Sequence, residues 1–301
     1  ALYDLEDDVE ETTDLAEQHP EIVERLQQLA DEARRELGDV GRLGEEQRPA
    51  GWVDNVEAFR APGLPAYRAA PTDAIPVITR GLGLANFTEA STSGWAGTSS
   101  VALDPEDAKQ FFVSQVDGDS VLHNTFDDPA GKKAVRLVTT ESYGDIDLHV
   151  EFLISEGSNS GVYLMGRYEV QILDSFGKSD EEIGVHDCGA IYERWNEEEP
   201  DRKKRGFEGS VPLSNASRPA GEWQSLDIVF RAPRFNEEGK KTTNATFVSV
   251  KLNGQLIHEN EVCTGPTRGG IAQEAATGPL VFQGDHGPVA LRNIWVRKAA
   301  E

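Results

Sequence analysis

The chain has 301 residues, room for one large domain or two small ones, and 53 Asp and Glu against 29 Lys and Arg give it a formal net charge of −24. A surface that acidic repels phosphate backbones and anionic lipid heads, so nucleic acid and membrane surfaces are excluded as expected partners. Hydrophobic residues make up 38%, enough for a packed core, and no apolar run reaches the ~18 residues that a membrane span needs.

The charge is uneven: residues 1–50 hold 16 acidic and 5 basic residues, a net of −11, which leaves −13 for the remaining 251. Two parts of different origin are therefore expected. Residues 1–48 are read as a strand followed by a helix. Pro20 suits the first helical turn, where its missing N–H costs nothing. Ile22, Val23, Leu26, Leu29, Ala30, Ala33 and Leu37 then recur every three or four residues, and Gly38 supplies a stop. One amphipathic helix cannot stand alone, so its stripe needs a partner surface. The opening residues, Ala1-Leu2-Tyr3-Asp4-Leu5, are not a signal peptide and lack an initiator Met. An internal cut, with any targeting signal upstream, is expected. Residues 49–76, rich in Gly, Pro and Arg with little periodicity, are read as a linker.

From about residue 77 the pattern turns to β. Leu148, Val150, Phe152 and Ile154 alternate with Asp147, His149, Glu151 and Leu153, as in a half-buried strand. Strands follow at 162–165, 168–173 and 226–230. Phe247 to Leu252, Asn253-Gly254 and Gln255 to His258 form a hairpin signal, because Asn-Gly accepts the positive φ of a type I′ turn. Residues 289–297 close the chain with a further strand. Many short strands, Gly/Pro turns and no long helix predict an antiparallel sandwich over 77–301.

The densest candidate chemistry lies in Asn159 to Ser175, two strands reversing at Gly166-Arg167. Glu169, Gln171 and Leu173 share one face of the second strand. Asp174 joins that face only if a β-bulge restores its phase. Two carboxylates beside a polar residue suit acid–base or nucleophilic work on a sugar; the bland alternative is a solvated strand face. Gln283 to Pro288 is a second candidate, a Gly/Pro turn from which Asp285 and His286 project. His186 and Cys188 resemble a nucleophile pair, but no third group orients them, and a structural cysteine is the better reading. Cys188 and Cys263 are the two cysteines, paired or free. The basic island Arg202-Lys203-Lys204-Arg205 reads as a solvated loop, and Trp195 and Trp223 either stack on sugars or pack in the core.

Taken in order, the runs 159–163, 168–175, 188–192, 221–223, 252–254 and 283–288 with Arg292-Asn293-Ile294 closely resemble the bacterial 3-keto-disaccharide (3-keto-glycoside) hydrolase family over roughly residues 75–298. The resemblance implies an all-β fold, a concanavalin-A-like lectin/glucanase jelly roll with its sugar site on the concave face. Glucanases of that superfamily place three acids where this chain has Glu169, Gln171 and Asp174, and the departure weakens a standard retaining mechanism. A 3-keto sugar offers another route. The ketone acidifies the C2 hydrogen, a base removes it, the enolate expels the C1 substituent, and water adds back. The residues implied are His286 or Glu169 as base and Asp174 or Asp285 as acid. Arg167, Gln171 and Gln283 are the positioning groups, and Asn159 and Tyr192 complete the sugar-binding set. No cofactor is certain; a divalent cation is an alternative means of polarising the ketone.

Residues 1–48, through Leu2-Tyr3-Asp4-Leu5, Glu11 to Ala16 and His19-Pro20-Glu21, resemble the C-terminal tail of a type I sulfatase. The sulfatase catalytic motif is missing from this chain, and Cys263 to Arg268 is a decoy with one residue too many. That tail implies a sulfatase catalytic domain N-terminal to the chain, and the keto-glycoside hydrolase resemblance implies a carbohydrate substrate and a periplasmic or extracellular location. The runner-up reading is a non-catalytic carbohydrate-binding module attached to a sulfatase.

Overall fold

The structure is a computed structural model that describes residues 2–3, 12–39, 42–43, 70–78, 82–113, 120–124 and 134–299. The chain divides into two compact units, Ala1–Phe59 and Arg60–Glu301. The first holds the expected helix, α1 (Pro20–Leu37), starting at the proline and ending before Gly38. Leu2 and Tyr3 are not in a strand, and the rest of the strand expected there lies outside the described residues, as does most of the expected linker. No described helix is long and apolar enough to cross a membrane.

The second unit is a sandwich of two antiparallel sheets. Its strands in chain order are β1 (Ile75–Ile78), β2 (Trp95–Thr98), β3 (Val121–Asn124), β4 (Leu137–Tyr143), β5 (Ile146–Ile154) and β6 (Asn159–Leu164). They continue with β7 (Tyr168–Leu173), β8 (Gln224–Arg231), β9 (Ala245–Leu252), β10 (Gln255–Cys263), β11 (Gly278–Phe282) and β12 (Val289–Lys298). The large sheet runs β10-β9-β8-β5-β12-β3-β2 with β1 on β12, and the small one runs β7-β6-β11-β4. Among the described residues, the first strand of the sandwich starts at Ile75.

Period-2 alternation builds the core between the sheets. Leu148, Val150, Phe152 and Ile154 of β5 face Val162 and Leu164 of β6, Tyr168, Val170 and Ile172 of β7, and Leu280 and Phe282 of β11 in one buried cluster. Each buried Leu, Ile or Phe side chain contributes roughly 1.5–3 kcal/mol. In β12 the inward phase changes from Val289 and Leu291 to Ile294 and Val296, because the register with β5 shifts between Arg292 and Trp295, where Asn293 takes φ 46°. The β9–β10 hairpin turns on Asn253 and Gly254, at φ 53° and 84°.

The outward residues of β5 depart from the expected half-buried pattern: His149 and Glu151 are buried. The outer face of the large sheet carries its own small core, Val101, Val121, Leu153 and Ala290, with Phe111, Val113 and Trp223 packed on it. That cover removes water from the neighbouring polar side chains.

Candidate active site on the four-stranded sheet

The face of the small sheet turned away from the core is polar, and it forms the floor of a cavity of about 380 Å³. Its lining includes Arg136, Asn159, Tyr163, Glu169, Gln171, Tyr192, Arg268, Gln283 and His286. Strand geometry explains the floor. Tyr168, Val170 and Ile172 point into the sandwich, so Glu169 and Gln171 point out. β6 and β7 pair without a register shift, with Tyr163 opposite Glu169, Gly161 opposite Gln171 and Asn159 opposite Leu173. The connection between them spans Met165 to Arg167, where Met165 and Gly166 take φ 56° and 67°. Gly161 has a reason to be glycine: a Cβ there would lie 2.2 Å from Glu169 Oε1. The missing side chain makes room for the carboxyl group.

Two segments build the walls. Residues 188–192 lie along the free edge of β7, with Gln171 N donating to Ala190 O (2.9 Å), Gly189 N to Gln171 O (2.8 Å) and Tyr192 N to Glu169 O (3.0 Å). The loop through Thr267 folds back over the β6–β7 turn. Thr267 N and Oγ1 both donate to Arg167 O at 2.9 Å, Thr267 Oγ1 accepts from Glu169 N at 3.1 Å, and Ile271 N donates to Gly166 O at 2.8 Å. These bonds fix Arg268, whose guanidinium lies 3.9 Å from the Trp195 ring centroid. Arg136 crosses the Tyr163 ring at 4.9 Å and donates to Gly269 O, so the two arginines share one loop.

Glu169 is the electrostatic outlier. It is 3% exposed, and burial pushes its carboxyl up to about 8, against the Tyr163 hydrogen bond and the charges of Arg136 and Arg268. Tyr163 and Tyr192 are also pushed up, by burial first and by the Glu169 charge second. Gln171 is buried, its Nε2 donates to His186 O at 3.2 Å, and its Oε1 has no partner among the described residues. An acceptor left open on a cavity wall suits a sugar hydroxyl. His286 reaches the rim through a β-bridge to Asn159. Its Nδ1 lies 2.7 Å from Asp285 Oδ1 and 3.0 Å from the Gln283 amide. A carboxylate only accepts and an amide nitrogen only donates, so Asp285 favours the ring proton on Nδ1 and the Gln283 amide favours it on the ring Nε2.

The expected site residues therefore separate. Glu169, Gln171, Asn159, Tyr192, Gln283 and His286 line one cavity, and Asp285 holds the imidazole from outside it. Asp174 and Arg167 do not join them. The continuous β6–β7 register supplies no bulge, so Asp174 stays off the Glu169 face, and its Oδ2 accepts from Gly157 N at 2.9 Å. Arg167 turns away and is buried, with Nε donating to Gln273 O (2.7 Å) and Nη1 to Met165 O (2.6 Å). It clamps the loop that carries Arg268 rather than positioning a substrate. Cys188 and Cys263 are both free, and burial pushes each thiol up to about 12, which excludes a thiolate nucleophile at neutral pH. His186 faces Glu193 at 3.2 Å and the Tyr192 ring instead.

Sequence reading missed Arg136, Tyr163 and Arg268. Tyr163 was within reach, since counting across a three-residue connection sets it opposite Glu169. The arginines arrive from remote segments with no local signal. The donor set does not fit a divalent cation. One carboxyl, held towards its neutral form, faces two guanidinium groups, and no cluster of three His, Cys, Asp or Glu suited to a metal occurs among the described residues.

A family model described as a 3-keto-alpha-glucoside-1,2-lyase-like domain matches residues 85–297. Among solved structures, a "putative glycosyl hydrolase" from Parabacteroides distasonis is 25% identical, covering 84% of this chain and 100% of its own, with a TM-score of 0.46. A second from the same organism is 19% identical, covering 68% and 99%, with a TM-score of 0.39. A carbohydrate-binding module from Bacillus subtilis is 8% identical, covering 67% and 94%, with a TM-score of 0.30. No curated protein matches the chain.

Proposed function

The chain belongs to the family of 3-keto-alpha-glucoside-1,2-lyase-like domains, and from that premise we propose that it cleaves the glycosidic bond of a 3-keto-glycoside by elimination, with Glu169 as the base. The observation that carries this reading is a single buried carboxyl at about 8, in a cavity otherwise lined by neutral and cationic groups. A base works best when its pKa lies near the operating pH, and a carboxylate stripped of water is a far stronger base than one in solvent.

Ionised Glu169 takes the C2 hydrogen, and the C–H electron pair moves into a C2–C3 double bond as the ketone oxygen becomes an enolate. The enolate re-forms the ketone, a C1–C2 double bond forms, and the C1–O bond breaks. The leaving oxygen takes a proton from His286 Nε2, with Asp285 steadying the imidazolium that supplies it. Water then adds its hydroxyl to C1 as its proton returns to His286, and Glu169 gives its proton back to C2, which completes a net hydrolysis and restores both groups. Arg136 faces the charge that moves from Glu169 onto the enolate oxygen. Gln171 Oε1 and the Asn159 side chain hold hydroxyls. Residues 1–48 are read, on their resemblance alone, as the tail of a type I sulfatase.

The test is release of the aglycone from a 3-keto-glucoside beside its unoxidised parent, for wild type, Glu169→Gln and His286→Ala. Release from the keto sugar alone, lost in Glu169→Gln, is the expected result. Equal turnover by Glu169→Gln removes the assigned base. Sugar binding without cleavage of either substrate replaces the lyase by a binding module.

A further inference from the structure

The cavity holds more positive charge than elimination uses. Two guanidinium groups, Arg136 and Arg268, line it with one carboxyl, Glu169. With Glu169 ionised the three sum to +1. When Glu169 takes the substrate proton, the enolate carries the negative charge and the sum is again +1. Among the described residues, one cation is therefore left uncompensated at every stage. Neither arginine forms an ion pair with a described residue. Glu193, whose backbone carbonyl accepts from Arg268 N, turns its carboxylate to His186 Nε2 at 3.2 Å, and Asp285 is committed to His286 at 2.7 Å. This happens in a chain with a net charge of −24, where a carboxylate partner would be easy to supply.

Placement of the surplus charge is built rather than incidental. Arg268 N donates to Glu193 O at 2.8 Å, the preceding Thr267 is bonded to β7, and the guanidinium is stacked on Trp195. Gly269, at φ 78°, leaves space for Arg136, because a Cβ there would lie 2.8 Å from Arg136 Nη2. Both guanidinium groups are half-buried and held in place, so an oxyanion entering the cavity meets a fixed, charge-assisted donor.

We infer that this cavity selects an acidic sugar, a glycoside bearing a carboxylate or a sulfate ester, and that Arg268 is the residue that binds the anion. Carboxylate and sulfate share the chemistry of a planar or tripodal oxyanion on a guanidinium. The inference rests on the reading of the cavity as a sugar site and adds the class of sugar to it.

Calorimetric titration at neutral pH and low salt tests it with three probes: methyl glucoside, methyl glucuronide, and methyl glucoside 6-sulfate. At least one anionic probe is expected to bind about tenfold or more tighter than the neutral one, as a charge-assisted hydrogen bond predicts. Arg268→Gln is expected to abolish that preference and Arg268→Lys, which keeps the charge, to retain part of it. Whichever anionic probe binds more tightly identifies carboxylate or sulfate as the group. Equal binding of all three probes, binding of none, or an undiminished preference in a folded Arg268→Gln protein overturns the inference. The two readings fail separately. A protein that prefers acidic sugars but cleaves no keto-glycoside loses the lyase assignment alone. One that cleaves neutral keto-glycosides without any anionic preference loses this inference alone.

Discussion

Glu151 and Glu169 project from the outer faces of the two sheets, at 1% and 3% exposure, and they behave in opposite ways. Around Glu151 burial is offset: Arg292 Nε donates to Oε2 and Asn293 Nδ2 to Oε1, each at 2.7 Å, and His149 Nε2 lies 3.6 Å away. Burial opposes ionisation, but these partners hold the carboxyl below its ordinary value. Asp227 and Glu151 likewise hold His149 above its own value against burial, and the ring stacks on Trp295 at 5.2 Å. Glu169 has the same burial without a fixed ion-pair partner among the described residues, so burial wins. A buried carboxyl that the fold has paired stays ionised, and removing one partner is costly. One left open is held for a ligand or a proton.

The sharpest way to break this comparison is to neutralise each carboxyl in turn. Glu169→Gln is expected to lower kcat/KM on a 3-keto-glycoside by about 10²–10⁴-fold while the protein stays folded. Glu151→Ala is expected to lose about 1–3 kcal/mol of stability, since it takes an acceptor from buried His149 and leaves Arg292, 35% exposed, to water; chemical denaturation measures it. A destabilised Glu169→Gln, or a Glu151→Ala protein as stable as wild type, would reverse the assignment.

The pH dependence follows with opposite signs. The folded Glu169 carboxyl lies at about 8 and the unfolded one at 4.5, so between those values the folded state holds a proton the unfolded state lacks. Its contribution to stability is therefore lost as pH rises through this window, by a few kcal/mol at most. The Glu169→Gln protein should not show that loss. Activity should instead rise with pH, with a midpoint near the Glu169 value. Glu151, held low, contributes stability that is lost as pH falls through its folded value, so acid unfolding reports on it.

Gly161→Ala is a smaller perturbation. Its Cβ would press on Glu169 Oε1 at 2.2 Å, so the carboxyl must move. An activity loss of about tenfold to a hundredfold is expected, with a stability loss of about 1–3 kcal/mol. Smallest of all is Asp174→Asn, which keeps an acceptor for Gly157 N. It should change kcat/KM less than about twofold and stability by under about 0.5 kcal/mol. A large activity loss in this variant would return Asp174 to the site.

Much of the sandwich was legible in the chain, because strand periodicity and turn chemistry are local. The alternation in 147–154, the Asn253-Gly254 turn and the Pro20–Gly38 helix limits all follow from residues a few positions apart. So did Glu169 and Gln171, which share a face by strand phase alone, and the Gln283–His286 turn. Asp174 was ambiguous for the same reason: its face depends on a bulge, and a bulge depends on the partner strand. Tertiary structure alone decided which carboxyl is paired. Arg292 and Asn293 reach Glu151 across the large sheet, from 141 and 142 residues away. Arg136 and Arg268 reach the Glu169 cavity from before β4 and from the loop after β10. Desolvation and Coulomb interactions act through space rather than along the chain. The sequence therefore names the acids, and the packing sets their charge.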